Sequence, residues 1–298
     1  MSNPRFCQLE DRALVRIGGE AAQPFLQGLV TCNIDELETG EAEYGALLTP
    51  QGKILFDFFI LRIADGFIAD IDASMASDFI KRMMFYRLRA KVEIEAVDDG
   101  RGVYAIFGDG PLDPAPWSAA GLAVRDPRLP EMGIRAYLPS PPDGAEEVPV
   151  EDYEAMRIGL GVPQGGRDFT YGDAFPHDVL MDRIAGVDFA KGCYVGQEVV
   201  SRMQHRGTAR KRTILVRTAS GEDLPQPGTE VLAGGKTVGT LTSVAGNRGL
   251  AMIRLDRAAP SVAASETILA GSTAIVLSLQ EWSKLEWPVA DGGETGTA

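Results

Sequence analysis

The segment "EYGALLTPQGKILFDFFILRIADGFIADID" constrains this chain more than any other. It reads as three strands. Pro50-Gln51-Gly52 and Asp65-Gly66 supply the turns, because Gly and Asp tolerate the backbone angles that tight hairpins demand. Three strands joined by turns this short commit the region to an antiparallel sheet. Asp57 and Arg62 interrupt its greasiest run, and no apolar stretch reaches the ~20 residues a membrane span needs.

The flanking segments supply helices. "GGEAAQPFLQGLVTCNID" carries Phe25, Leu26, Leu29 and Val30 at helical spacing. "DASMASDFIKRMMFYRLRA" reads as a helix capped by Asp72 or Ser74, and "KVEIEAV" alternates as a strand. Residues 111–149 are rich in Pro, Gly and Asp. They read as a loop-heavy connection with strand candidates at 121–125 and 133–138 that need partners elsewhere. A helix follows at "VEDYEAMRIGLG". After Arg212, short β runs separated by Gly ("TILVRTA", "TEVLAG", "KTVGTLTSVA", "GLAMIRL", "TAIVLSL") predict a small separate β-barrel or sandwich. The end, "PVADGGETGTA", has little to bury and is expected to fray.

Composition excludes several functions. With 42 acidic against 29 basic residues and a net charge of −13, stable nucleic-acid binding is not expected. Cys7, Cys32 and Cys193 form no CxxC pair, and His177 and His205 are the only histidines, so no self-contained metal site is expected. "MSNPRFCQLEDRA" lacks the n-region and h-region of a secretory signal, and the expectation drawn from it is a cytoplasmic protein without membrane attachment. Gly159, Gly161, Gly165 and Gly166 match neither GxGxxG nor a Walker loop. Arg87, Arg89 and Lys91 read as a basic helix end running into an edge strand or as a ligand site.

One stretch departs from the acidic background: "DFAKGCYVGQEVVSRMQHRGTARKR", residues 188–212. Lys191 and a helix starting near Gly196-Gln197 would both favour a thiolate at Cys193. Gly192 and Gly196 permit a sharp turn. Glu198 and Arg202 are four apart in the favourable order, Arg202 and Arg206 share a face, and Gly207 can stop the helix. This suits a nucleophilic, redox-active or metal-touching thiol beside an anion-binding surface. It equally suits a small core cysteine under a solvated basic face.

"KGCYVGQEVVSRMQHRG" closely resembles the signature of the YgfZ-type folate-binding proteins, relatives of the glycine-cleavage aminomethyltransferase (T-protein). "FLQGLVTCNI", "ALLTPQGKILFDFFI", "YRLRAKVEI", "RIGLGVPQGGRDF" and "GTLTS…GLAMIRLD" extend the resemblance in order along the chain. It implies an α+β fold: an aminomethyltransferase-like folate-binding unit over 1–212, of two lobes that can be discontinuous with a boundary near 100, then a β-barrel over 213–286 and a flexible tail at 287–298. It implies tetrahydrofolate or a derivative in a central cavity with the KGCY loop at its mouth. It also implies a role in assembly or repair of iron–sulfur clusters, with client or assembly proteins as partners.

Residue by residue, the resemblance makes Cys193 the functional thiol and Lys191 its activator. Asp178, in "FPHD", stands where the family has "P-x-E" and would read the pterin edge with a side chain one methylene shorter. Tyr194, Gln197, Glu198, Arg202 and Arg206 would line the folate site, Asn33 would line it or merely cap a turn, and Arg210, Lys211 and Arg212 would meet the glutamate tail. The alternatives are a true folate-dependent aminomethyltransferase or methyltransferase, and a folate-binding scaffold. Against the transferase, "ADIDASMASDF" matches the transferase site poorly.

Overall fold

In the computed structural model, residues 3–207 and 209–288 are described. Two five-stranded sheets and a closed barrel make up the β-structure. The first sheet has the spatial order Ala42–Leu48, Ile54–Ile63, Gly66–Asp72, Arg12–Gly18, Glu93–Ala96. The expected hairpins are present: Gly45 faces Phe58, and Ile60 faces Ala69.

Strand period explains how this sheet is used. In Ile54–Ile63, Phe56, Phe58 and Ile60 point to one face, under the helices Ala22–Gln27 and Ala76–Arg87, which contribute Leu26, Phe79 and Met83. Phe59 and Leu61 point to the other face, into a core shared with Val103, Ala105, Phe107 and Tyr137. Those four residues belong to the second sheet, of order Glu146–Glu147, Arg5–Gln8, Gly102–Phe107, Ile134–Leu138, Leu122–Arg125. The chain therefore begins in the second sheet, builds the first, and returns.

The strands anticipated near 121–125 and 133–138 pair with each other and with Gly102–Phe107. Residues 102–138 thus form the body of a sheet rather than a loop-heavy connection. The period-2 signal there was short and broken by Pro and Gly, so its partnering was not legible.

The barrel closes in the order Lys211–Thr218, Arg248–Arg254, Lys236–Ala245, Glu230–Ala233, Ile268–Ala270, Thr273–Ser278 and back to the first strand. Closure removes the exposed edges of so small a sheet. The strand Ile268–Ala270 and the helix Leu255–Ala263, which contains Pro260, were not anticipated. From residue 289 onward the expected flexible tail lies outside the described residues. No helix among the described residues is long and apolar enough to cross a membrane.

Candidate functional site

The KGCY loop is held at both ends. Before it, the Thr31 hydroxyl donates to the Gly186 carbonyl at 2.6 Å, and Asp188 N–H donates to the Thr31 carbonyl at 2.9 Å. After it, Gly196 adopts φ 83° and caps the helix Gln197–Arg206. A Cβ there would lie 2.5 Å from the Thr49 carbonyl, so only glycine lets the helix start this close to the 49–53 turn. Gly207 ends the helix in the left-handed conformation, as expected.

Between these anchors the side chains diverge. Cys193 is exposed, whereas Cys7 and Cys32 are buried. Lys191 is buried and donates to the carbonyls of Val30 at 2.7 Å and Cys32 at 2.6 Å. Burial lowers its pKa from the usual lysine value. Lys191 therefore faces the protein while Cys193 faces solvent, which corrects the expectation that the lysine activates the thiol. It tethers the loop instead. Tyr194 is buried beneath the ammonium, its ring centre 5.6 Å from Nζ and its hydroxyl without a hydrogen-bond partner among the described residues.

Glu43 also lies in this neighbourhood. Burial, and then the charges of Asp188, Glu41 and Glu36, raise its carboxyl to about 7. A raised carboxyl favours the fold when protonated, so its contribution is complete below the unfolded value and is lost as pH rises through about 7. Glu43→Gln is expected to raise the melting temperature more at pH 8 than at pH 5, since glutamine stays neutral. Thermal denaturation at both pH values measures this, and an equal shift at both would refute it.

The remaining expected residues do not converge on one pocket. Asn33 accepts from Gln27 Nε2 at 3.0 Å and closes a turn. Asp178 is buried; its carboxylate accepts from its own turn, at Phe175 N–H, 3.1 Å away, and burial raises its pKa. Arg212 is buried too, in a forked pair with Asp182 at 2.5 and 3.1 Å, and it also donates to the His177 carbonyl. It is not available for a glutamate tail, which corrects that assignment. His177 pairs with Gln204 at 3.0 Å and so ties this turn to the helix after the KGCY loop. Glu198 pairs with Arg202 at 3.4 Å on the exposed face, Gln197 is half-buried beside them, and Arg206 and Arg210 are exposed. Lys211 lines a groove against the barrel with Phe169, Met252 and Arg257.

The charged centre of the molecule lies elsewhere, between the two sheets. Asp57 and Asp70 share strand parity with Phe59 and Ile68, so each points into the inter-sheet core. Asp57 accepts from the hydroxyls of Tyr44 at 2.8 Å and Tyr171 at 2.6 Å. Asp70 accepts from Arg12 at 2.6 Å and from Tyr137 at 3.0 Å, with Arg135 at 3.7 Å. Arg128 forks onto Asp126 at 3.0 and 2.7 Å. The guanidiniums of Arg128 and Arg135 lie 4.9 and 4.6 Å from the ring centre of Phe59. Sequence reading missed this set. Its signal was parity: a carboxylate two residues from Phe59, in register with apolar neighbours.

A folate would be expected in this cavity, and the residues present do not fit one. The space open to water is about 30 Å³, enough for a water or two, against roughly 300 Å³ or more for a small-molecule site. Both oxygens of Asp57 already accept from tyrosines, and both of Asp70 are engaged. Arg135 Nη1 is the one buried guanidinium nitrogen left without a partner among the described residues.

Comparison with known proteins places these features. The model of the GCVT N-terminal domain matches residues 8–111, and that of the CAF17 C-terminal beta-barrel domain matches residues 210–285. The solved glycine cleavage system aminomethyltransferase T from Bartonella henselae superposes with a TM-score of 0.70 at 15% identity, covering 95% of this chain and 86% of that one. That likeness shows the fold: aminomethyltransferase-like, with a closed C-terminal barrel. The iron–sulfur cluster assembly factor IBA57, mitochondrial, of Homo sapiens is 33% identical over 313 residues, covering 94% of this chain and 85% of its own. The chain belongs to the IBA57 family.

The IBA57 homolog of Pyricularia oryzae, also named mitochondrial, is 34% identical over 281 residues, covering 84% of this chain and 72% of its own. These names overturn the cytoplasmic expectation and point to the mitochondrion. The absence of a secretory n-region and h-region does not address a mitochondrial destination, whose signals are of a different kind.

Proposed function

We propose that this chain supports the assembly or repair of iron–sulfur clusters in client enzymes by presenting Cys193 to a cluster shared with a partner protein. The observation that carries this reading is the contrast among the cysteines: Cys193 alone is exposed, on a loop pinned by Lys191 and by the Gly196 helix start. A thiolate is a soft ligand suited to iron–sulfur clusters. Among the described residues no group of three or more His, Cys, Asp or Glu could hold a metal ion. Cys193 therefore cannot enclose a cluster alone, and the other ligands come from the partner. Arg202 and Arg206, exposed on the adjoining helix, suit an acidic partner or the negative charge of a thiolate-bound cluster. The names of the IBA57 relatives and the resemblance of the KGCYVGQE motif to YgfZ-type proteins support the same reading.

Tetrahydrofolate and aminomethyl transfer are left out of this action, because the carboxylate oxygens of Asp57 and Asp70 in the central cavity already accept from protein partners.

The test is a deletion strain assayed for its iron–sulfur enzyme activities and complemented with wild type, Cys193→Ala or Cys193→Ser. Wild type is expected to restore activity. Both variants, accumulating to the same level, are expected to leave it several-fold lower. Full complementation by Cys193→Ala would remove the thiol from the mechanism.

A further inference from the structure

We propose that the end of the helix Ala76–Arg87 and the residues just beyond it form a docking surface for an acidic partner protein that presents an apolar ridge. The helix spends its apolar residues on two faces. Phe79 and Met83 are fully buried in the core under the first sheet. Met84, Phe85 and Leu88 point the other way, with 40%, 70% and 84% of their surface exposed. These are the most exposed large apolar side chains among the described residues, and they fall within five positions. Scattered exposed apolar residues are ordinary, but a contiguous group marks an interaction site. Leu88 also holds φ 47° and ψ −105°, a conformation strained for a non-glycine residue that persists where the surroundings or a function require it.

Charge selects the partner. Between Asp78 and Glu93 the chain carries Lys81, Arg82, Arg87, Arg89 and Lys91 and no carboxylate, in a protein of net charge −13. Lys81 and Lys91 have exposed carboxylate partners in Asp78 and Glu20, and Arg87 donates to the Val92 carbonyl. Arg82 and Arg89 are exposed and make no ion pair among the described residues. Aromatic, Met and Arg side chains together are the composition that dominates protein–protein contacts.

Shape argues for a folded protein rather than a lipid surface. Beside the Phe85 knob lies a groove with apolar lining from Leu55, Phe56 and Met75, and with Lys81 and Arg82 outnumbering Asp78 among its charged lining residues. A ridge can fill such a groove, whereas a bilayer surface cannot. Leu55 and Met75 pack on the same core as Val195 of the KGCY segment, and Tyr171 reaches from the groove wall to Asp57 in the central network.

The surface would supply a partner for the assembly role, but its test reads binding alone, so its failure would leave the Cys193 assignment standing. The probe is a labelled synthetic amphipathic helix with a leucine stripe flanked by glutamates, followed by fluorescence anisotropy on the full chain. The same helix with lysines for glutamates is the control. We expect saturable, salt-sensitive binding of the acidic helix only, weakened roughly tenfold or more by Phe85→Ser with Leu88→Ser, and by Arg82→Glu with Arg89→Glu. All four positions are exposed, so circular dichroism should be unchanged. Four results would each overturn the proposal. They are the absence of saturable binding, equal binding by the variants, binding to vesicles of phosphatidylcholine and phosphatidylglycerol instead of the helix, and self-association abolished by Phe85→Ser.

Discussion

Asp168→Ala is expected to destabilise the chain by about 3–5 kcal/mol, the range seen when one partner of a buried ion pair is removed. Arg157, on the helix Val150–Leu160, is fully buried and donates to Asp168 at 2.7 Å. Asp168 also accepts from the Thr242 hydroxyl at 2.7 Å and from Gln164 N–H at 3.0 Å, and Arg157 reaches the Val162 carbonyl at 2.6 Å. Thr242 lies on the barrel strand Lys236–Ala245, so this cluster fastens the barrel to the helix and to the loop after it. Losing the carboxylate strands a guanidinium in the interior, where a charge without a counter-ion is costly. Glu154, 2.9 Å from Arg157, offsets part of that cost and keeps the expectation near the lower end of the range. Urea denaturation measures the change. Replacing both members, Arg157→Met with Asp168→Leu, is expected to recover much of the loss, because the buried guanidinium is gone and Glu154 keeps Arg167 at 3.4 Å. A loss below about 1 kcal/mol in the single variant would mean that water reaches Arg157, as at a surface pair.

That cluster shows where sequence reading stops. "RIGLGVPQGGRDF" holds both Arg157 and Asp168, and the stretch was legible as a family match, but nothing in it announces an ion pair closed eleven residues apart against a barrel strand. The three hairpin strands, the helices at 22–27 and 150–160 and most barrel strands were legible because period and turn residues are local signals. The second sheet was not: Arg5–Gln8 finds its partner at Gly102–Phe107 across nearly a hundred residues. The site divides in the same way. The helix bounds at Gly196 and Gly207 follow from neighbouring residues, whereas those neighbours suit Cys193 equally at the surface or in the core, and the partners of Lys191 and Arg212 lie far away, at residues 30–32 and 182. Charge proximity in sequence assigned Lys191 to the thiol, and the fold assigns it to two carbonyls.

The reassignment of Lys191 has a measurable consequence. Lys191→Met keeps the length and apolar stem of the side chain but removes the donor to the carbonyls of Val30 and Cys32. An orphaned buried acceptor costs about 1–3 kcal/mol. Two are left here, partly relieved because a neutral methionine carries no desolvation cost comparable to that of a buried ammonium, so a net loss of about 2–3 kcal/mol is expected. The loss should also be local. The loop meets the first sheet through Lys191, through Thr31 on Gly186, and through Gly196 on the 49–53 turn; without the first of these, amides of residues 188–196 and 31–34 should exchange faster than those of the barrel. Hydrogen exchange followed by peptide reads this directly. If exchange in both segments matches wild type and stability is unchanged, Lys191 is no tether, and its place beside Cys193 in the motif must be explained by the thiol after all. If the loop loosens, the exposed thiol that we propose meets a cluster between two proteins is held in position by a cation that never touches it.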